Sequence, residues 1–174
     1  MDREITNARK RGVPVIGICG GYQMLGRQLI DAGFESAEGT YKGLGLLDGI
    51  TRFSSYEKTT TQVTRTACAV PPILSAMGDV TGYEIHMGLT EPGFDAEALD
   101  GDGRVSGDGL VFGTYLHGLF QNPSAANALL GYLATKKNLA FEPIPLVSED
   151  PYEVLADLFE KHVDMDAIQA ILAG

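Results

Sequence analysis

Residues 17–21, Gly-Ile-Cys-Gly-Gly, constrain the fold of this chain more than any other part of its sequence. They overlap the end of an almost wholly apolar run at 13–18, and such a run is typical of a strand buried on both faces of a parallel sheet. Apolar side chains at helical spacing follow over residues 22–29, and Gly33 offers a C-terminal cap. We therefore predict a buried strand, a sharp turn at Cys19 and a helix that continues to Gly33.

The remainder of the chain alternates between strand-like and helix-like segments. Strand-type residues dominate four segments: 44–53, 58–70, 80–87 and 110–116. Three helices are expected later in the chain, beginning at Asn122-Pro123, at Asp150-Pro151 and after Asp164. Helices that alternate with apolar strands predict the α/β class, and 174 residues without a linker predict a single domain over residues 1–174.

Composition limits the classes of function. The chain has 13 Lys plus Arg against 23 Asp plus Glu, a net charge of −10. Such an acidic surface repels phosphate backbones and anionic lipid heads, which argues against nucleic-acid and membrane partners. No apolar run approaches the roughly 20 residues that a membrane-spanning helix needs. The two cysteines, Cys19 and Cys68, suggest no disulfide framework and fit a reducing cytoplasm.

The cysteine of residues 17–21 is a candidate nucleophile. The order Gly-x-Cys-x-Gly between a strand and a helix is typical of a nucleophile elbow, whose apical side chain stands clear of the sheet. Small residues must flank such a tight turn, which would explain Gly17, Gly20 and Gly21. The start of the following helix favours a thiolate, and the Gly20 N–H would face an oxyanion formed by attack of Cys19 on a carbonyl. The alternative is a small buried cysteine in a Gly-rich turn.

A thiolate nucleophile needs a base, and the chain has three histidines. His117 follows the apolar segment 110–116, and the carboxyl end of a sheet strand is a suitable place to face a neighbouring elbow. The alternative is a strand-end histidine bonded to the backbone. His162 lies late in an expected surface helix and is interpreted as a bystander or a helix cap.

The third histidine, His86, belongs to residues 82–88, Gly-Tyr-Glu-Ile-His-Met-Gly. On a strand, Glu84 and His86 share one face, opposite Tyr83, so a carboxylate and an imidazole would orient each other for a structural or a functional purpose. No Cys or His pair has ligand spacing, and residues 100–103 resemble a calcium loop without its later Glu, so we predict no metal site. The chain also lacks the Gly-rich loop that binds ATP phosphates.

Three segments carry a family resemblance. Residues 15–26 resemble the cysteine segment of class I glutamine amidotransferases, more narrowly of the cobyric acid synthase type. Residues 82–88 resemble the second signature of that type, and residues 113–120 the third, in the same order along the chain. The Tyr-Glu-Ile-His-Met block is the most specific of the three.

The resemblance implies a fold and a reaction. The fold would be flavodoxin-like, with a mostly parallel sheet flanked by helices. Cys19 would attack the side-chain amide of glutamine, His117 would act as general base, Gly20 would supply an oxyanion N–H and Gln23 would help to hold glutamine. Ammonia would pass to a synthetase domain, on the same polypeptide or a separate subunit, which uses ATP and Mg²⁺ to amidate the corrinoid adenosylcobyrinic acid a,c-diamide. This chain itself would need no cofactor.

The sequence departs from the wider class I pattern in two ways. Many members carry Glu two positions after the histidine, where this chain has Leu119, and Glu84 is a candidate to orient His117 instead. Strands and a Gly-containing oxyanion loop usually precede the cysteine segment, so we expect a domain truncated at its N-terminus, with an exposed apolar sheet edge. Two other hypotheses are a non-catalytic binding module and another cysteine-elbow hydrolase, although the second leaves the Tyr-Glu-Ile-His-Met block unexplained.

Overall fold

The computed structural model describes residues 2–56, 58–146 and 151–173. The chain divides into two compact units, Met1–Ile144 and Pro145–Gly174. No helix within the described residues is both long and apolar enough to cross a membrane.

The first unit holds most of the secondary structure. It begins with α1 (Asp2–Lys10), β1 (Val15–Ile18), α2 (Gly20–Leu25), β2 (Gln28–Asp31), β3 (Gly39–Lys42), β4 (Gly49–Phe53) and β5 (Lys58–Thr66). It continues with β6 (Asp79–Met87), β7 (Leu89–Pro92), β8 (Arg104–Val105), β9 (Val111–Thr114), β10 (Leu116–His117) and α3 (Pro123–Lys137). The second unit contains α4 (Pro151–His162) and α5 (Met165–Ala173).

The strands form three sheets, with the orders β1-β9-β8, β10-β6-β5 and β3-β2-β4-β7. Together with the helices they confirm the α/β class. The expectation of a mostly parallel sheet was wrong: among the described strands only the β1–β9 and β2–β4 pairs are parallel. From β3 to β10 the strands follow one another with no α-helix between them, and the pairs that these strands form with each other are all antiparallel.

The helix that follows Cys19 is shorter than its periodicity predicts. It ends at Leu25, and Gln28–Asp31 is a strand rather than the helix expected to continue to Gly33. Gly26 ends the helix in an extended conformation, with ψ of −177°. A Cβ at Gly26 would lie 2.8 Å from the Gly49 carbonyl oxygen, so the backbone of β4 lies directly against this position. Tertiary contact therefore overrides the local helical pattern.

The predicted strand at 44–53 is confirmed only from Gly49 onwards. The residues before it satisfy the carboxyl end of α2 instead. Leu44 N–H donates to the Met24 carbonyl at 2.8 Å, and Leu46 N–H donates to the Leu25 carbonyl at 2.9 Å. These bonds take carbonyls that the end of a helix would otherwise leave without a partner.

The core lies on both sides of β9, as predicted for the apolar segment 110–116. Val111 belongs to a buried cluster with Tyr22, Leu25 and Leu47, whereas Phe112 belongs to a larger cluster. That larger cluster also contains Ile73, Leu74, Met77, Val80, Leu99, Val105, Leu116, Leu119, Ala125 and Ala128. Because successive side chains of a strand point to opposite faces, β9 connects the two clusters and fixes the end of the strand that leads to His117.

The predicted helix starts are confirmed where the structure describes them. Pro123 opens α3, and Asn122 precedes it, but the Asn122 side chain binds the Thr81 backbone rather than capping the helix: its Oδ1 accepts from the Thr81 N–H at 2.9 Å. Asp164 precedes α5 and accepts from the Ala167 N–H at 3.0 Å. The predicted cap at Asp150 lies outside the described residues.

Candidate active site

Cys19 lies at a sharp turn between β1 and α2. Its φ of 55° and ψ of −117° fall outside the regions that L-residues ordinarily adopt. Its N–H donates to the Thr114 carbonyl at 2.9 Å, and its carbonyl accepts from the Gln23 N–H at 3.1 Å. The predicted turn is confirmed. A backbone conformation of this kind costs about 1–3 kcal/mol of folding free energy, which the surrounding hydrogen bonds must offset.

The glycines around Cys19 have different roles. A Cβ at Gly17 would lie 2.7 Å from the Gly21 carbonyl carbon and 2.7 Å from Leu25 Cδ1, so no side chain fits there. A Cβ at Gly20 or Gly21 would meet nothing within 4 Å. The prediction that all three must be small was therefore right for Gly17 and wrong for Gly20 and Gly21, because the first turn of α2 is exposed.

The Cys19 thiol and the His117 imidazole meet at one main-chain carbonyl, that of Ile85 on β6. Cys19 Sγ donates to the Ile85 oxygen at 3.3 Å, and His117 Nε2 lies 3.2 Å from the same oxygen. The structure therefore brings together the two residues that the sequence analysis interpreted as nucleophile and base.

His117 is brought to this point by the pairing of β10 with β6. It lies opposite Tyr83 in an antiparallel register, and Leu116 lies opposite Glu84. The two strands approach closely at Gly82, where a Cβ would collide with the His117 carbonyl oxygen and lie 3.1 Å from Leu116 Cγ. The glycine at position 82 is therefore a condition for placing His117.

The Ile85 carbonyl is available because the chain bends between β9 and β10. The Ile85 N–H reaches the Tyr115 carbonyl at 3.4 Å, but the Tyr115 N–H donates to the buried Asp102 carboxylate at 3.0 Å. The Thr114 hydroxyl also donates to Asp102. Asp102, only 7% exposed, thus holds the bend. In the sequence it stands out only as part of the calcium-loop-like residues 100–103, and no local pattern predicts this contact.

Gln23 lies beneath the turn and is 7% exposed. Its Nε2 donates to the Met87 carbonyl at 2.9 Å and lies 3.3 Å from the Tyr115 hydroxyl oxygen. The Tyr115 hydroxyl also lies 2.5 Å from Thr90 Oγ1. These contacts tie α2 to the end of β6, and the expected contact of Gln23 with glutamine stays a prediction.

Glu84 and His86 form a polar cluster on the same face of β6, as their spacing predicts. Glu84 is paired with Arg65 through one carboxylate oxygen, and its other oxygen lies 3.2 Å from His86 Nε2. His86 Nδ1 lies 3.0 Å from the Gly88 carbonyl oxygen, and its ring stacks on Tyr115 with a centroid separation of 3.9 Å. We call Arg65, Glu84 and His86 the β6 clamp.

The expectation that Glu84 orients His117 directly was wrong, because both of its carboxylate oxygens are taken by the other members of the clamp. Burial of the Glu84 carboxyl raises its pKa, but hydrogen bonds and charge from Arg65 and His86 outweigh that effect and hold the pKa below its ordinary value.

The aromatic side chains around the clamp differ in exposure. Tyr83 lies on the opposite face of β6 and is 50% exposed. Tyr22 and Tyr115 pack edge to face with ring centroids 5.1 Å apart, and burial raises the pKa of both hydroxyls. Among the described residues, no three His, Cys, Asp or Glu side chains lie close enough to hold a metal ion.

The fold and this site define an α/β domain with a strained cysteine at a strand–helix turn and a histidine beside it. Residues 1–125 match the family model described as "CobB/CobQ-like glutamine amidotransferase domain". The chain belongs to this family.

Several curated relatives share one name. A "Probable cobyric acid synthase" of Methanoregula boonei is 67% identical over 171 residues, which cover 98% of this chain and 36% of the relative. Proteins of the same name from Methanosphaerula palustris and Methanosarcina acetivorans are 60% and 46% identical, over 94% and 98% of this chain and 34% and 36% of their own lengths. The chain therefore spans about a third of the length of the curated relatives that it matches.

Among solved structures, a chain titled "Crystal structure of glutamine amidotransferase" matches with a TM-score of 0.46 and 12% identity. The match covers 79% of this chain and 68% of that chain.

Proposed function

We propose that this chain is the glutaminase part of a cobyric acid synthase. The observation that carries the proposal is the meeting of Cys19 Sγ and His117 Nε2, 3.3 and 3.2 Å from one carbonyl oxygen. A strained cysteine at a strand–helix turn beside a histidine is typical of an activated nucleophile and its base. Membership of the amidotransferase family and the names of the relatives support the choice of glutamine as substrate.

In this reaction Cys19 passes its thiol proton to His117 and attacks the side-chain amide carbon of glutamine. The amide oxygen becomes an oxyanion faced by the Gly20 N–H, one of the donors that the start of α2 leaves without a helical carbonyl. His117 returns the proton to the departing nitrogen, ammonia leaves, and a glutamyl thioester remains. Water, deprotonated by His117, then hydrolyses the thioester to glutamate and restores the thiol.

The Ile85 carbonyl supports this proton transfer. Before the transfer the Ile85 oxygen accepts from the Cys19 thiol. It lies 3.2 Å from His117 Nε2 and can accept from that nitrogen once Nε2 has received the thiol proton. Protonation at Nε2 is the state that follows transfer from the thiol. The carbonyl therefore stabilises the imidazolium that forms while Cys19 becomes a thiolate. Gln23, held beneath the turn, helps to position the substrate.

The second half of the proposal concerns the remainder of the longer protein. The relatives are about three times as long as the matched segment, so most of their length lies outside it. We place there a synthetase domain that binds ATP and Mg²⁺ and uses the ammonia to amidate carboxylates of adenosylcobyrinic acid a,c-diamide.

Covalent labelling tests the first half. The purified chain is treated with a chloroketone or diazo-ketone analogue of glutamine, and the modified residue is found by peptide mass spectrometry. We expect a label at Cys19, protection by glutamine and no label in Cys19→Ser. Cys68, which packs against the larger core cluster, is the internal control for unspecific alkylation.

Two results would contradict the proposal. A folded chain in which iodoacetamide modifies Cys19 but the glutamine analogue does not is a non-catalytic module. A label that glutamine does not prevent indicates another cysteine-elbow hydrolase with a different substrate.

Nitrogen-source dependence tests the second half. The remaining two-thirds of the longer protein, expressed with this chain, should amidate the corrinoid with either glutamine or ammonium as nitrogen donor. With Cys19→Ala, only ammonium should support amidation. Loss of both activities in that variant would show that the two parts are not related as donor and acceptor of ammonia.

A further inference from the structure

We propose that Glu84 and His86 are positioning residues for the glutaminase reaction. They act through the main-chain carbonyl of Ile85, which lies between them on β6 and orients the thiol and the imidazole of the catalytic pair. The inference rests on the proposed function, and it gives the two polar residues of the 82–88 segment a role that does not require contact with substrate.

The first observation is the double use of one oxygen. The Ile85 carbonyl accepts from Cys19 Sγ at 3.3 Å and lies 3.2 Å from His117 Nε2. Since the carbonyl can accept from the thiol before proton transfer and from Nε2 after it, one oxygen sets the position of both groups relative to each other. Leu119, at the position where many class I amidotransferases carry Glu, is buried in the core at 1% exposure and offers His117 no carboxylate.

The second observation is what fixes that oxygen. The carbonyl belongs to the peptide group that joins Ile85 to His86, so its direction depends on how both neighbours are held. On one side, Glu84 is paired with the part-buried Arg65. On the other, the His86 ring is bound at both nitrogens and stacked on Tyr115. The β6 clamp therefore fixes the peptide from both ends.

The third observation concerns the protons of the clamp. His86 Nδ1 faces the Gly88 carbonyl at 3.0 Å, and its Nε2 faces the Glu84 carboxylate at 3.2 Å. Both partners are acceptors, so both contacts are hydrogen bonds together only when the ring carries two protons. Glu84 is the charged partner of both Arg65 and His86 Nε2, so replacement of Glu84 by Gln should loosen the hold on the ring.

Nitrogen-15 NMR of histidine reads this arrangement directly. The full 174-residue chain contains three histidines, so the ring-nitrogen signals can be assigned with His162→Gln and His86→Gln variants. In the native chain we expect His117 to hold a single tautomer, with its proton on Nδ1 and Nε2 available to accept the thiol proton. In Glu84→Gln we expect His117 to average between tautomers.

Kinetics provide the second readout. Glu84→Gln should lower kcat for glutamine hydrolysis by about 10- to 100-fold, because a displaced base fails in the reaction step, while KM changes by less than about twofold. The matched control is Glu91→Gln, which removes the carboxylate from another Arg–Glu pair, the exposed Arg52–Glu91 pair between β4 and β7. The control should leave kcat, KM and the His117 spectrum unchanged.

The outcomes separate the two proposals. A native chain with neither glutaminase activity nor analogue labelling overturns the proposed function, whereas the NMR spectra still report whether the clamp positions His117. A Glu84→Gln chain with an unchanged His117 spectrum and unchanged kcat overturns the positioning role even if the native chain is active. If Glu84→Gln does not fold, Arg65→Lys replaces it, and an unchanged His117 spectrum and unchanged kcat in that variant overturn the positioning role equally.

Discussion

The two halves of the candidate site are built by different means. On the cysteine side, backbone conformation over a few consecutive residues places the thiol: a positive φ at Cys19, close packing at Gly17 and the start of α2. On the histidine side, placement depends on groups far apart in sequence. Asp102 bends the chain, Gly82 admits β10 against β6, and the β6 clamp fixes the carbonyl.

This contrast determines which kind of substitution damages each half. A local turn is disrupted when a substitution makes its backbone conformation or its close packing impossible, and that disruption lowers the stability of the fold. A long-range polar arrangement is disrupted by small displacements of its side chains. Such displacements leave the fold stable but slow the reaction. Substitutions on the cysteine side should therefore separate stability from activity differently from those on the histidine side.

Replacement of Cys19 should give the largest effect on activity. Cys19→Ala and Cys19→Gly both remove the nucleophile, and glutamine hydrolysis should fall by on the order of 10⁴-fold or more. Their stabilities should differ, because Gly relieves a backbone conformation that Ala retains. We expect Cys19→Gly to exceed Cys19→Ala in free energy of unfolding by about 1 kcal/mol, measured by urea denaturation. Equal stabilities would show that the turn is not strained.

Gly17→Ala should give the largest loss of stability. Its Cβ would press on the Gly21 backbone and on Leu25, so we expect a loss of about 2–3 kcal/mol in the free energy of unfolding. Gly20→Ala is the matched control, since its Cβ meets nothing within 4 Å, and it should change stability by less than about 0.5 kcal/mol. A control as destabilised as Gly17→Ala would contradict the structure of the turn.

Gly82→Ala tests the histidine side. The new Cβ would push β10 from β6 and displace His117, so analogue labelling of Cys19 should slow by about 10²-fold while iodoacetamide labelling changes little. Gly107→Ala, at a glycine whose Cβ would lie in open space, is the control and should label at the native rate. Native labelling in Gly82→Ala would show that the close approach does not place His117.

Acid titration should give the smallest effect. The folded pKa of Glu84 is below its ordinary value of 4.5, so the fold favours the ionised form. The stability that ionised Glu84 contributes is fully present at pH values above 4.5, and it is lost as the pH falls through the lower pKa of the folded state. The native chain should exceed Glu84→Gln by about 1 kcal/mol in free energy of unfolding near neutral pH. That difference should narrow only in more acidic solution, and narrowing already near pH 6 would contradict an ionised clamp.

The same contrast explains what the sequence revealed. The turn at Cys19, the buried strand β9 and the shared face of Glu84 and His86 follow from local patterns, because strand alternation and small residues at a turn are readable over a few positions. The end of α2 at Leu25 could not be predicted from the local sequence, because the backbone at Gly49, far along the chain, determines where the helix ends.

The polar contacts were also beyond local patterns. Asp102 lies among Asp and Gly residues that indicate a solvated loop, and Arg65 lies in a Thr-rich strand that indicates a half-exposed one. Their functions depend on which strand lies opposite. The mixed pairing of the sheets likewise depends on connections that single-strand patterns do not encode.

The positive φ of Cys19 has a consequence for how such a domain changes over generations. A single change to glycine would end the chemistry and at the same time relax the fold, so selection for stability alone drives the nucleophile out. A lineage that keeps a cysteine in this conformation is one in which loss of the reaction is penalised in every generation. Release from that demand would be expected to leave a folded, inactive descendant with glycine at the turn.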